Sequence, residues 1–406
     1  MPQHEREEVE CAQVPAEEAS RRLAAFQGYL CEAKLDGAFL LQRADLYYFC
    51  GTAHDAVCYV PAAGEPLLAV RRPLERARKE AVLSRVVPLP SYSVLPALLA
   101  EHGLGGARRV GMEHDVLPVQ LHQRFHQLFR EVEFVDASPL VMKVRQRKSP
   151  IELECFRQAA AAVEAGHRWL PAMLREGLVE VEALAHLLTA FRQAGGEGSA
   201  RMRRWDHLPL STTMLSGWNG AVPSFVDATT GGEGLNRLLP FGSSRKTLRA
   251  GEPILVDSVC THAGYCVDLS RTYAIRSLAD ELRDAHALAV EILHHLEGML
   301  RPGMPSGDLY ASAVAMAGQT QFGDAFLGHG PNKVSFVGHG IGLEVNEPPF
   351  IARGFTTPFE VGMVVAVEPK FVFPGKGIVG IENTYVITEG SPERLTTLPD
   401  DLVIVS

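Results

Sequence analysis

Apolar residues recur three and four positions apart from Glu17 through Leu23, Phe26, Leu30 and Ala33, which predicts an amphipathic helix near the start of the chain. Short runs of strand length follow at residues 37–41, 46–50, 57–60, 66–70, 109–112 and 132–135, with helical periods around 74–82 and 96–102. Short strands alternating with helices describe an α/β domain over the first third of the chain. Its titratable residues are scattered, at no spacing that chemistry requires.

The stretch Lys148-Ser149-Pro150-Ile151-Glu152 reads as a boundary. Ser149 is suited to N-cap a helix, Pro150 fits its first turn, and Glu152 completes a capping box. Helices are predicted over 150–174 and 181–194, the second ended by Gly195-Gly196. Residues 199–249 are rich in Gly, Ser, Thr and Arg and predict strands joined by long loops; helices follow over 278–300 and 306–322, and strands from 334 onward. The expected organisation is a disordered acidic tail over 1–15, an α/β domain over 16–147, and a larger second domain over 148–406.

Composition narrows the class of function. Hydrophobic residues make up 46% and charged residues 21% of the 406, the balance of a globular protein able to bury a core. Lys and Arg number 39 against 48 Asp and Glu, so a polyphosphate partner would gain little from the chain's charge, and nucleic acid is not expected. The charged opening MPQHEREEVECAQVP does not resemble a signal peptide, and no run approaches the ~18 apolar residues of a membrane span. A cytoplasmic protein without a membrane partner is expected. The cysteine count is odd, seven, with no repeated C-x-x-C spacing, so neither a disulfide framework nor a thiolate zinc site is indicated.

Two hairpins carry the candidate chemistry. In the first, residues 253–275, β-prone runs flank Thr261-His262-Ala263-Gly264. Closing the hairpin at Thr261 and Gly264, or at Cys260 and Tyr265, sets Asp257 directly opposite Asp268, with β-carbons about 5 Å apart. Two ionised carboxylates so placed destabilise a sheet unless a cation lies between them. In the second, residues 364–387, pairing Phe373 with Gly377 sets Glu368 opposite Glu382 among Val, Ile and Ala residues that read as buried. Between the hairpins lies His339, framed by Gly338 and Gly340. Four acids and one imidazole suit two divalent ions such as Mn, Co, Fe or Zn. Cys266 shares strand parity with Asp268 and is expected beside the site.

These residues resemble the creatinase, aminopeptidase P and prolidase family of pita-bread metallopeptidases. The pair Asp257 and Asp268-Leu-Ser-Arg-Thr, the block Gly338-His339-Gly340-Ile-Gly-Leu, and Glu368-Pro with Ile381-Glu382-Asn-Thr match its five-ligand signature in order and spacing. Asp45-Leu-Tyr-Tyr-Phe-Cys-Gly51 and Lys148-Ser149-Pro150 extend the likeness over most of the chain. The resemblance implies a fold of α/β and α+β type: a creatinase-like N-terminal α/β domain followed by a pita-bread domain, assembled as a homodimer. It implies two divalent ions, manganese among the choices, with Asp257 and Glu382 bridging, Asp268 on one ion and His339 with Glu368 on the other. Glu368 would be the catalytic proton acceptor while a metal-bound hydroxide attacks an amide N-terminal to proline in a small peptide.

Several positions depart from that pattern. The family carries His four residues before and seven residues after the ligand His, where this chain has Ser335 and Asn346. It carries a further His upstream of the first Asp, where this chain reads Leu239-Pro240-Phe241-Gly242, and an Arg two before the last Glu, where this chain has Gly380. His207, His262 and His329 are the imidazoles that could substitute, and Arg201, Arg203 and Arg204 could hold a substrate carboxylate. Loss of these groups is what a change to a small non-peptide C–N or C–S substrate would leave behind. A partner-binding scaffold has no need of the intact ligand set.

Overall fold

The computed structural model describes residues 14–198, 200–203 and 212–406. Residues 1–13, with Cys11 and most of the expected acidic tail, and Arg204 and His207 lie outside the described residues. The chain divides into two compact units, the first ending at Arg145 and the second beginning at Gln146.

The first unit is built on a six-stranded sheet in the order Val86–Pro88, Leu67–Arg72, Asp55–Pro61, Gly37–Leu40, Arg109–Met112, Glu133–Asp136. The central strand Gly37–Leu40 pairs antiparallel with Asp55–Pro61 and parallel with Arg109–Met112, and all four of its residues are buried. Phe39 anchors the core, with the Tyr59, Phe125 and Phe129 rings packed around it at centroid distances of 4.9 to 5.4 Å.

The run at 46–50, expected as a strand, is the helix Arg43–Cys50. A continuous apolar run has no period of its own, and here local capping decides. Gln42 accepts from the Asp45 N–H at the start, and Gly51, at φ 79°, ends the helix in the left-handed region. The buried Asp45 carboxylate is paired with Arg145 at 2.7 Å, a contact 100 residues away that no local pattern shows. The helices Val119–Leu128 and Ser138–Arg145 complete the unit, the first with Leu121, Phe125 and Leu128 recurring four and three positions apart.

The second unit opens with the helix Pro150–Met173, whose capping box forms as expected: Ser149 N–H donates to Glu152 Oε2 at 2.9 Å and Glu152 N–H to Ser149 Oγ at 3.3 Å. The other Glu152 oxygen accepts from Tyr265 Oη at 3.1 Å, tying the helix start to the first hairpin. Farther along this helix, buried His167 bridges Ser258 Oγ and Tyr273 Oη, each at 2.8 Å. Both strands of the hairpin are thereby clamped from one face.

Three sheet elements follow. One sheet orders Thr213–Ser216, Pro253–His262, Tyr265–Ile275 and Val403–Val405 side by side. A second orders Glu347–Ala352, Phe336–Gly340, Val364–Val367, Asn383–Val386 and Glu393–Arg394, and Lys370–Phe373 pairs with Gly377–Gly380 as a ribbon. Helices Asp280–Met299 and Ser306–Gly318 share a buried apolar cluster with the second sheet through Leu293, Leu309, Val337 and Val365. Residues 217–252 run mostly as loop. Buried Glu180 organises this excursion by accepting from the backbone N–H and hydroxyl of both Ser216 and Ser244 and from Asn219 Nδ2, at 2.7 to 2.9 Å. Among the described residues no helix is long and apolar enough to cross a membrane.

Candidate metal centre

The strands Pro253–His262 and Tyr265–Ile275 form the expected hairpin in a shifted register. His262 pairs with Tyr265, Asp257 with Ser270, and Val259 with Asp268. Asp257 and Asp268 therefore share a face but stand diagonally, not directly opposite. The loop contains only Ala263 and Gly264, at φ 48° and 80°, the paired positive values of a primed two-residue turn. Glu197 stabilises that turn by accepting from the Ala263 and Gly264 N–H groups at 2.8 and 3.1 Å, which accounts for an alanine in a region disfavoured for residues with a Cβ.

The second hairpin keeps the register read from the sequence. Phe373 pairs with Gly377 and Lys370 with Gly380, and beyond the interruption Val367 pairs with Asn383, which places Glu368 across from Glu382. His339 comes from the strand Phe336–Gly340, beside Ala366. A Cβ on Gly338 would collide with the Ala366 carbonyl, so glycine there permits the close approach of this strand.

All five expected residues line one cleft, together with Asn346, Phe241 and Lys370. Asp268, His339, Glu368 and Glu382 are buried. Asp268, His339 and Glu382 each offer a ligand atom within 4.8 Å of the others. His339 Nδ1 lies 3.0 Å from the Gly340 carbonyl, an acceptor only, so this nitrogen carries the proton and Nε2 presents its lone pair. Burial, opposed by the Glu382 charge, holds the His339 pKa below the usual imidazole range. Glu382 divides its oxygens: Oε2 accepts from Ser270 Oγ at 2.7 Å, whereas Oε1 is buried and has no protein partner. A neutral imidazole lone pair and an unpartnered carboxylate oxygen converging beside a second carboxylate fit a divalent cation. All three belong to the five-residue set that the resemblance implies.

Electrostatics explains why a cation belongs here. Burial raises the Asp268 pKa well above the carboxylate range, and the Glu382 and Asp257 charges raise it further. Glu382 is raised to about 7 by burial, with Lys370 pulling in the other direction. Burial raises Glu368 against the same lysine. Acids packed this closely favour protonation unless positive charge enters.

Lys370, absent from the sequence reading, supplies part of that charge. Its Nζ donates to Glu368 Oε2 at 2.8 Å, Asp257 Oδ2 at 2.9 Å and Glu382 Oε2 at 3.1 Å. Desolvation alone would lower its pKa, but the Asp257, Glu368 and Glu382 charges outweigh it and raise the pKa well above the ordinary lysine value. A signal existed: Lys370 follows Glu368 by two within an apolar run, so strand parity turns both to one side.

Two other residues hold the frame. Arg271, buried on the second strand of the first hairpin, donates to the Ser270, Glu382 and Leu398 carbonyls and to Asn383 Oδ1, each at 2.9 Å. Thr384 Oγ1 accepts from the Asp268 N–H at 3.0 Å and donates to the Asp268 carbonyl at 2.8 Å. Cys266, Ser335, His329, Arg201 and Arg203 do not line the cleft, although the Asp268 charge reaches the Cys266 thiol. Cys266 donates its thiol to the Gly342 carbonyl at 3.1 Å, with a pKa pushed well up by burial. Ser335, His329 and Arg201 are exposed, and Arg203 lies 3.5 Å from the buried Glu344. Among the described residues His339 is the one histidine lining the cleft; neither His262 nor His329 reaches it.

Comparison with known proteins identifies the family. The model of metallopeptidase family M24 matches residues 154–389, more than half of the chain, and that of the creatinase/prolidase N-terminal domain matches residues 22–147. A probable dipeptidase PepE from Mycobacterium bovis is 26% identical over 401 residues, covering 96% of this chain and 97% of the relative. An Xaa-Pro dipeptidase from Pyrococcus furiosus is 24% identical over 384 residues, covering 94% and 99%. The solved structure of an Xaa-Pro dipeptidase from Bacillus anthracis shares the fold with a TM-score of 0.80 at 24% identity, covering 95% of this chain and all of that one. With both of its family models matched in order and the signature acids and histidine gathered in one cleft, the chain belongs to metallopeptidase family M24, with a creatinase/prolidase N-terminal domain preceding the pita-bread domain.

Proposed function

We propose that this protein is a divalent-metal-dependent hydrolase of the Xaa-Pro peptidase kind, which cleaves the amide on the N-terminal side of proline in small peptides. The observation that carries this reading is the convergence of Asp268, His339 and Glu382, with Glu382 Oε1 lacking any protein partner. These residues would hold a divalent ion, which would supply Lewis acidity toward a scissile carbonyl. His339 contributes a fixed tautomer, because its Nδ1 proton is committed to the Gly340 carbonyl. Glu368 is the group we assign to proton transfer. Lys370 holds its Oε2, and Oε1 lies 3.6 Å from His339 Nε2, so one oxygen is oriented and the other faces the centre. Burial, opposed by the Lys370 charge, raises its proton affinity, which suits a carboxylate that accepts and returns a proton. A cytoplasmic homodimer, with manganese among the usable ions, completes the proposal.

A second reading keeps the metal and changes the substrate. Asn346 lines the cleft, Ser335 is exposed, and no imidazole other than His339 is present there among the described residues. Loss of those groups is what a change to a small non-peptide substrate with a C–N or C–S bond would leave behind. The test is a panel of Xaa-Pro dipeptides and longer peptides, assayed on metal-loaded and chelator-treated protein, with Asp268→Asn and Glu368→Gln as controls. Metal-dependent cleavage abolished in both variants supports peptide hydrolysis. Metal-loaded protein that cleaves no peptide in the panel sinks it and leaves the second reading.

A further inference from the structure

We infer that the Lys370 ammonium occupies one of the two cation places expected in this centre, so that the protein takes up a single divalent ion, at Asp268, His339 and Glu382. The inference rests on the metal reading above and concerns how many ions that site holds and which residues hold them.

The geometry sets the acids around two places, with Glu382 between them and Glu368 reaching from its lysine-bound Oε2 to an Oε1 that lies 3.6 Å from His339 Nε2. On one side, Lys370 Nζ lies 2.8 to 3.1 Å from single oxygens of Glu368, Asp257 and Glu382. An ammonium has three hydrogens, and here it has three carboxylate acceptors, so its donors are all committed to the protein. A transition-metal ion bound to those oxygens would lie about 2.0–2.2 Å from them, inside the space the ammonium fills. On the other side, Glu382 groups with Asp268 and His339, and its Oε1 is buried with no protein partner, which leaves that oxygen for an ion. One carboxylate thus offers one oxygen to a fixed cation and the other to an exchangeable one.

Charge and space agree. Four carboxylates with one ammonium and one divalent ion leave a net charge of −1, whereas a second divalent ion would leave +1 in a buried cleft and press a dication against the ammonium. Room for the lysine stem comes from the facing strand. Lys370 pairs with Gly380, and a Cβ at Gly380 would stand 2.6 Å from Lys370 Cγ.

Metal stoichiometry tests the inference without reference to turnover. Purified chain is stripped with chelator, titrated calorimetrically with manganese, and measured by elemental analysis and electron paramagnetic resonance. Wild type is expected to bind one ion per chain with the six-line spectrum of an isolated Mn(II). Lys370→Ala is expected to bind two, with the broadened spectrum of a coupled pair. Asp257→Asn should keep one ion and Asp268→Asn should bind none. Two ions in wild type, no ion in wild type, or one ion in a folded Lys370→Ala each overturn the inference. Should Lys370→Ala fail to fold, the wild-type count and the contrast between Asp257→Asn and Asp268→Asn decide alone, and equal loss of metal in those two variants overturns it. One ion with no peptide cleavage leaves this inference standing and removes the proposed function; two ions with cleavage do the reverse.

Discussion

His167 makes acid stability a direct test of how the first hairpin is held. Its imidazole is buried between Ser258 Oγ on one strand and Tyr273 Oη on the other, both at 2.8 Å, so it clamps the strands that present Asp257 and Asp268. Burial, with a smaller push from the Arg271 charge, lowers its pKa from 6.5 to about 3. Between those values the unfolded chain binds a proton that the folded chain excludes, so stability rises with pH across the window. The contribution is fully present above the unfolded pKa and is lost as pH falls toward the folded one. At pH 5 the cost from this one group is about 2 kcal/mol relative to neutral pH, from the gap between the two pKa values. Urea unfolding of wild type and His167→Gln at pH 7 and pH 5, with metal held constant, isolates the term, because every other titrating group is common to both. Wild type should lose about 2 kcal/mol more than the variant over that interval. Parallel losses would refute the claim that a neutral buried His167 braces the hairpin.

Three further outcomes are expected. Glu180→Gln turns an amide toward five donors on Ser216, Asn219 and Ser244, and should lower stability by about 3 kcal/mol in urea titrations while metal stoichiometry stays at the wild-type value. Gly338→Ala drives a methyl into the Ala366 carbonyl beside His339, and calorimetry should show weakened metal binding by a chain that still unfolds cooperatively. Arg271→Lys keeps the charge but loses most of the bonds to the Ser270, Glu382 and Leu398 carbonyls; about 3 kcal/mol of stability and part of the metal affinity should go together, read by thermal unfolding and manganese titration.

The two hairpins show how far pattern alone carries. For Glu368 and Glu382, the turn residues Pro374, Gly375 and Lys376 fix a loop length, and the pairing follows out to Val367 and Asn383. For Asp257 and Asp268, the face was legible but the register was not. Strand parity depends only on counting residues, whereas the closing pair depends on a turn whose N–H groups are held by Glu197, 66 and 67 residues away. The run at 46–50 misled for a related reason: its helix is secured by the Gln42 cap and by an ion pair from Asp45 to Arg145.

What the sequence determined by itself is what spacing can encode: the capping box at Ser149 and Glu152, the hairpins, and the five side chains that meet in one cleft. These follow from periods and turns that act over a few residues. The occupancy of that cleft was decided only in three dimensions. Glu382 meets Lys370 on one oxygen and Asp268 with His339 on the other, and Gly380 makes room for the lysine. Which buried charges neutralise which depends on distances of a few ångströms between separate strands, and at that range Coulomb energy changes more steeply than any sequence pattern records.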